Sequence, residues 1–118
     1  MKLEEIYQFF TQEPVTYLTW QQAVCYILSV LLAGESYGTE LIQKLECEYP
    51  NYRLSDTVLY AALKFLEQEK AIVGYWQKAS RRGRPRRMYQ VSPHWSNEAQ
   101  KLANLWTNSA IHQQQPKA

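Results

Sequence analysis

The chain has 118 residues, a formal net charge of +2, and 46% hydrophobic and 20% charged residues, which is the balance of one globular domain able to bury a core. Its longest apolar stretch, residues 23–33, is far shorter than the roughly 20 residues of a membrane span, and its acidic N-terminus is unlike a secretion signal, so we predict a cytoplasmic protein. The two cysteines, Cys25 and Cys47, lack the spacing of zinc or redox motifs, and we expect them to be reduced and no metal or cofactor to be bound.

Two helices are predicted in the first third of the chain. Apolar residues near the N-terminus recur at helical spacing, which predicts a short amphipathic helix over residues 2–10 that Pro14 prevents from continuing. These apolar residues are Leu3, Ile6, Tyr7 and Phe10. Thr19 is the expected N-cap of a second helix that runs to about Ala33. This second helix is apolar nearly all round near its end, so we expect it at the centre of the core.

The next two helices have the spacing of a helix-turn-helix. A third helix is predicted from about Gly38 to Glu48, followed by a turn over residues 49–52. Ser55 is the expected N-cap of a fourth helix that ends near Glu69. Two helices joined by so short a turn are typical of proteins that place the second helix against DNA.

A change of periodicity after the fourth helix predicts a β-hairpin. Residues 72–77 and 87–91 are rich in β-branched and aromatic side chains, and the loop between them, residues 79–86, contains glycine, proline and arginine. A last helix is predicted from Pro93 to Ile111, followed by a polar tail over residues 112–118.

Positive charge is concentrated at the tip of this hairpin. Residues 78–87 hold six basic residues and no acidic one, whereas the rest of the chain has seven basic and eleven acidic residues. A mildly acidic body with one concentrated basic point favours local contact with a polyanion. A charge run that is simply solvated is the alternative, but the glycine and proline at the tip and the aromatic residues in the flanking strands favour DNA contact.

The fourth helix and the basic hairpin together form the predicted DNA-binding site. Short polar residues near the start of a helix can reach base edges in the major groove, and longer ones can reach phosphates. In the helix these residues are Ser55, Thr57, Tyr60 and Lys64. In the hairpin they are Arg81, Arg82, Arg84, Arg86 and Arg87, of which Arg87 either binds DNA or pairs with an acidic residue of the chain.

Three segments resemble the PadR family of winged-helix transcription regulators. They are residues 37–42 (YGTELI), residues 55–67 (SDTVLYAALKFLE) and residues 83–89 (GRPRRMY), in the order that the family shows. The resemblance covers roughly residues 20–95 and implies that the fourth helix is the recognition helix and the arginine-rich loop is the wing. It further implies a homodimeric repressor, held together largely by its C-terminal helix, on a two-fold symmetric operator.

The chain departs from the family pattern at three positions of the fourth helix and its end. Val58 stands where the family usually has threonine, and Ala61 stands where proline is common. Lys70 stands where glycine usually closes the helix. The first two departures concern base preference and the third concerns the end of the helix, and none of them concerns the fold.

The terminal helices are predicted to form the dimer interface. The last helix carries an apolar stripe that so small a body would bury poorly, and two-fold pairing is the default symmetry of oligomers. The predicted interface combines the N-terminal residues Leu3, Ile6, Tyr7 and Phe10 with Trp95, Leu102, Leu105 and Trp106. The alternative is packing within one protomer. A further hypothesis is that an aromatic effector binds in a pocket lined by Trp20, Trp95 and Trp106.

The sequence therefore predicts a mainly α fold with a small β-hairpin, a winged helix-turn-helix with extra N- and C-terminal helices. Its predicted parts are an extension (residues 1–18), the DNA-binding domain (19–92), a dimerisation helix (93–111) and a tail (112–118). The sequence shows no arrangement of a nucleophile, a phosphate-binding loop or a partnered histidine, so we predict that the protein is not an enzyme. The alternative to a DNA-binding repressor is an adaptor whose basic loop docks an acidic protein.

Overall fold

Five helices make up most of the computed structural model, which describes residues 2–11, 15–78 and 85–114. They are α1 (Leu3–Thr11), α2 (Trp20–Ala33), α3 (Gly38–Glu48), α4 (Asp56–Gln68) and α5 (Ser96–Gln114). All five predicted helices are confirmed, and the last begins with a single 3₁₀ turn over Pro93–Trp95. The predicted start at Pro93 is therefore correct in position, although its first turn is more tightly wound than an α-helix.

The starts of α2 and α4 are fixed by local hydrogen bonds at the N-caps that the sequence predicted. The Thr19 hydroxyl accepts from the backbone N–H of Gln22 at 3.1 Å, and the Gln22 side chain accepts from the Thr19 N–H at 2.9 Å. This reciprocal pair satisfies two donors that the first turn of α2 leaves without intrahelical partners. At α4, the Ser55 hydroxyl accepts from the N–H of Val58 at 3.2 Å. Both predicted N-caps are confirmed.

A three-stranded antiparallel sheet forms the wing, in the order β2 (Ser36–Tyr37), β5 (Arg86–Val91), β4 (Ile72–Gln77). The register pairs Gly74 with Tyr89 and Gln77 with Arg86. A second pairing joins β1 (Thr16–Tyr17) in parallel to β3 (Tyr52–Arg53), which ties the segment before α2 to the turn after α3. Sequence patterns missed β1, β2 and β3 because strands of two residues have no alternation to detect.

The core is built around α2, as its apolar circumference predicted. Tyr26, Ile27 and Leu28 are fully buried. The Tyr26 hydroxyl donates to the carbonyl of Leu41 at 2.7 Å, so its polar end is satisfied inside the core. Among the described residues, every helix is too short or too polar to cross the hydrocarbon layer of a bilayer.

The packing of α5 corrects one part of the predicted dimer interface. Its small residues Ala99, Ala103 and Ala110 face α2 and are buried, and Trp106 between them is only 3% exposed. The Trp106 ring packs edge-on against the rings of Tyr26, Tyr49 and Tyr52, with centroids 5.2–5.6 Å apart. The expectation that the body would bury this stripe poorly is therefore wrong for Trp106, because alanines let α5 approach α2 closely and the tyrosines enclose the indole.

The other residues of the predicted interface differ in exposure. Leu3 is 68% exposed, Ile6 43% and Leu105 62%, and Tyr7 also lies at the surface. Trp95 and Leu102 are half-buried against the core. The side chain of Phe10 lies outside the described residues.

The aromatic effector and the division of the chain into four parts stay predictions. Of the rings proposed to line an effector site, Trp20 packs edge-on against Phe65, with centroids 4.8 Å apart, while Trp106 belongs to the tyrosine cluster. Each of these two rings therefore already has partners within the protomer. The pairing of β1 with β3 shows that residues 16–17 of the predicted extension are hydrogen-bonded to the helix-turn-helix.

Candidate nucleic-acid interface

The first two turns of α4 present a polar face to solvent and an apolar face to the core. Leu59 and Leu63 are buried, whereas Thr57, Tyr60 and Lys64 are exposed. The predicted recognition residues after the cap therefore share the accessible side of one helix. The Ser55 hydroxyl accepts the capping hydrogen bond from the N–H of Val58, and its own proton remains available for donation.

The start of α3 approaches α4 closely at Gly38. A Cβ added at Gly38 would lie 2.9 Å from the hydroxyl of Tyr60 and 3.4 Å from a methyl group of Leu59. Any larger residue would push the Tyr60 ring away from its position. One turn along α3, Glu40 accepts from the buried hydroxyl of Ser36 at 2.6 Å, which fixes the strand that precedes the helix. These contacts give a structural reason for the Tyr-Gly-Thr-Glu pattern at residues 37–40.

The turn between α3 and α4 is secured by Arg53. Its guanidinium donates to the carbonyls of Pro50 and Tyr52 at 2.7 and 2.8 Å. Its Nε also lies 3.7 Å from a carboxylate oxygen of Glu46. The Arg53 side chain therefore links the carbonyls of the turn to Glu46 of α3, a role that the sequence analysis did not assign to it.

A polar groove of about 430 Å³ lies where α3, α4 and the wing meet. Its lining includes residues from three elements: Gly38, Thr39 and Gln43 from α3, Tyr60 from α4, and Arg86, Arg87 and Tyr89 from β5. The first turn of α3 has no side-chain cap, so its N–H groups add positive potential at this end of the groove. Sequence reasoning found Tyr60, Arg86 and Arg87 but missed Thr39 and Gln43, for which their i, i+4 spacing on the predicted third helix was the available signal.

The side chains of Arg86 and Arg87, both on β5, lie in different surroundings. Arg86 is exposed, and its guanidinium carbon lies 4.2 Å from the centroid of the Tyr37 ring. Arg87 is half-buried, and its Nη2 lies 3.4 Å from a carboxylate oxygen of Glu67. Of the two roles predicted for Arg87, pairing with an acidic residue of the chain is thus observed.

The hydroxyl of Tyr89 borders the same region. Burial and, to a lesser extent, the Glu67 carboxylate raise its pKa, and the neighbouring Arg87 opposes this shift only in part. Tyr89 therefore stays protonated at neutral pH and can donate a hydrogen bond. A phenol that keeps its proton adds no negative charge to a surface proposed to meet phosphates.

The remaining wing arginines, Arg81, Arg82 and Arg84, lie outside the described residues. The strands on either side of these residues are described, and the pair nearest to them is Gln77–Arg86. In the part of the chain that is described, no group of three histidine, cysteine, aspartate or glutamate residues is arranged to hold a metal ion.

Comparison with protein families identifies one match. The model of the Transcriptional regulator PadR-like family matches residues 27–101, which span helix-turn-helix, wing and the start of α5. A comparison with curated protein sequences finds no match.

Among solved structures, the circadian clock associated protein Pex from Anabaena is 63% identical to this chain, with a TM-score of 0.86, covering 98% of this chain and 100% of its own. Pex from Synechococcus is 57% identical, with a TM-score of 0.81, covering 92% of this chain and 97% of its own. A transcriptional regulator from Clostridium thermocellum, 24% identical with a TM-score of 0.63, covers 81% of this chain and 95% of its own and shares the fold.

Proposed function

This chain belongs to the Transcriptional regulator PadR-like family, and from that premise we propose that it is a sequence-specific DNA-binding repressor. Membership places it among regulators of transcription and not among enzymes. The observation that carries the proposal is the groove in which the exposed face of α4 meets β5 near the loop end of the wing. Polar groups of Thr39, Tyr60 and Arg86 converge on it from three elements, as contacts to one sugar–phosphate backbone require.

In the proposed complex, α4 enters the major groove with its N-terminus first. Thr57 contacts a base edge or a thymine methyl group, while Tyr60 and Lys64 contact phosphates, and the hydroxyl of Ser55 donates outward. The wing holds the flanking backbone or the minor groove through its arginines. These are Arg81, Arg82, Arg84 and Arg86. Their charge supplies the part of the affinity that does not depend on sequence.

We propose that the repressor is a homodimer formed by α1 and α5. What supports this is the apolar surface that the protomer leaves exposed at Leu3, Ile6 and Leu105, to which Tyr7, Trp95 and Leu102 add contact area. Exposed aliphatic groups grouped on terminal helices are typical of an interface between copies. Two recognition helices about 34 Å apart then read a two-fold symmetric operator.

The dimer is tested by light scattering after size exclusion. The native chain is expected to elute at twice the protomer mass. The double variant Leu3→Lys with Ile6→Lys places charges on α1 and is expected to elute as a protomer with unchanged helical circular dichroism. A native chain that stays a protomer at micromolar concentration contradicts the dimer.

We further propose that the regulated gene belongs to a circadian clock. The support is the 63% identity, over 98% of this chain and 100% of the other, to a protein described as circadian clock associated. Recovery of bound fragments from the genomic DNA of the source organism tests this directly. Fragments clustered upstream of clock genes are expected, and fragments with no common gene class would refute it.

DNA binding itself is tested by fluorescence anisotropy with a recovered duplex and an unrelated duplex. Replacing Arg81, Arg82 and Arg84 together with alanine is expected to weaken binding to both duplexes. It should also lower the salt slope, which is the steepness with which the logarithm of the binding constant falls with the logarithm of salt concentration, by up to about three, because three phosphate contacts are lost. Thr57→Ala is expected to reduce the preference for the recovered duplex by about tenfold. Lys101→Ala, which removes an exposed cation of α5, is the matched control. Native-like binding by the triple and Thr57 variants would end the proposal.

A further inference from the structure

Arg87 occupies a slot that the neighbouring residues build around its guanidinium. A Cβ added at Gly74 would lie only 2.7–2.9 Å from its Nη2, Nε and Cζ atoms, so the bare backbone of Gly74 is the floor of the slot. The rings of Trp76 and Tyr89 flank the group, with centroids 5.4 and 6.0 Å from Cζ. Glu67 of α4 closes the end of the slot at 3.4 Å.

The slot fastens the wing to α4 at a second point. At the base of the hairpin, the N–H of Ser92 donates to the carbonyl of Ala71 at 2.9 Å, directly after the end of α4. Arg87 pairs with Trp76 on β4, one residue pair before the last described pair at Gln77. The hairpin is also held by β2, which pairs with Met88 and Tyr89, and the slot adds a contact with α4 itself near the far end of the hairpin.

The adjacent Arg86 is placed differently, because successive residues of a strand point to opposite faces of the sheet. Its guanidinium stacks on Tyr37 and is exposed, although both arginines contribute to the lining of the groove. Arg87 faces α4 and already has a carboxylate partner. The Glu67 carboxylate offsets part of the charge of Arg87, so a phosphate gains less from Arg87 than from Arg86.

We propose that Arg87 is a positioning residue. It fixes the angle between the wing and α4, and its charge is not among those that neutralise phosphates, in contrast to Arg86. This inference rests on the proposed DNA-binding function. A wing already held in its bound orientation loses less conformational freedom on binding, so the slot raises affinity without touching DNA.

Gly74→Ala is the sharpest test, because it expels the guanidinium while keeping its charge. The added methyl group clashes only with the end of a flexible side chain, so the strand itself is expected to fold normally. The positioning role predicts that Gly74→Ala and Arg87→Ala weaken binding to the recovered duplex by a similar factor of about three to ten, with the native salt slope retained in both. Arg86→Ala is expected to lower the salt slope by about one.

Hydroxyl-radical footprints of the same complexes supply a readout that a loss of stability would not change. In Gly74→Ala, protection is expected to weaken beside the operator, where the wing lies, while protection at the α4 contacts persists. Thermal denaturation checks that each variant melts within a few degrees of the native chain, and Lys101→Ala serves again as the control for loss of one exposed charge.

Several outcomes separate this inference from the function on which it rests. A salt slope lowered by about one in Arg87→Ala, together with native or tighter binding by Gly74→Ala, would show that Arg87 contacts phosphate directly and would overturn the positioning role alone. Native affinity in both variants would overturn it as well. A native chain that binds neither duplex overturns the proposed function and this inference together.

Discussion

Replacing Lys70 with glycine is expected to stabilise the folded chain. Lys70 follows the C-cap of α4 with φ = 60°, in the left-handed region that residues with a Cβ adopt at a cost. The conformation is imposed by hydrogen bonds that close the helix. The N–H of Lys70 donates to the carbonyl of Glu67 at 3.0 Å, and the N–H of Ala71 donates to that of Leu66 at 2.9 Å. This is the Schellman arrangement, in which glycine is the usual residue.

The size of the effect follows from two opposing terms. A left-handed residue other than glycine costs roughly 1–2 kcal/mol, which the variant regains. Glycine is more flexible in the unfolded chain, which removes roughly 0.5–1 kcal/mol of that gain. The net increase in the free energy of unfolding is therefore about 0.5–1 kcal/mol, or a rise in Tm of about 2–4 °C for a chain of this size.

Urea denaturation followed by circular dichroism measures this difference. Lys70→Ala is the matched control, because it removes the same side chain and charge but keeps the Cβ and hence the strain. We expect Lys70→Ala to be no more stable than the native chain and Lys70→Gly to exceed it by about 1 kcal/mol. Equal stability of the two variants would refute the reasoning, since it would mean that the backbone at residue 70 carries no strain.

Three further predictions concern the core and the caps. Trp106→Ala is expected to lower the free energy of unfolding by about 3–5 kcal/mol in a urea titration, whereas Leu105→Ala, at an exposed position, should cost the protomer less than about 0.5 kcal/mol; similar losses would contradict burial of Trp106 within the protomer. Burial, followed by the charge of Glu48, raises the pKa of Tyr26, so the neutral hydroxyl stabilises the fold at neutral pH and this contribution is lost as the pH rises above the pKa of an unfolded tyrosine. Tyr26→Phe should therefore be less stable at pH 7 by about 1–2 kcal/mol but lose stability less steeply in alkali, and an unchanged alkaline slope would count against this account. Ser55→Ala should cost about 1 kcal/mol and Ser55→Asp should restore most of it, which thermal melts can compare, and equal melting of both would argue against the cap.

Local signals in the sequence located the elements well. Thr19 and Ser55 marked helix starts correctly because an N-cap acts through hydrogen bonds to residues two or three positions away, all within one short segment. The strand at residues 72–77 was likewise predicted at its observed bounds. Lys70 was recognised as unusual at a helix end, and the structure gives the physical reason in its positive φ.

Contacts between distant segments were beyond the reach of such signals. The two-residue strands β1 and β3 exist only because residues 16–17 come to lie beside residues 52–53. Spacing alone groups Trp106 with the predicted dimer interface, because nothing in it reveals that Tyr26, Tyr49 and Tyr52 enclose this ring. Burial of a side chain depends on what packs against it, and that is a property of the assembled fold.

The adjacent arginines of the wing show the same division most clearly. From the sequence alone follow the basic run, the hairpin that carries it and the alternation that sends Arg86 and Arg87 to opposite faces of a strand. Only the tertiary structure decides which face meets Tyr37 and which meets Glu67. The reason is that charge and periodicity are encoded locally, whereas the partner of a charge is fixed by how α4 and the wing pack together.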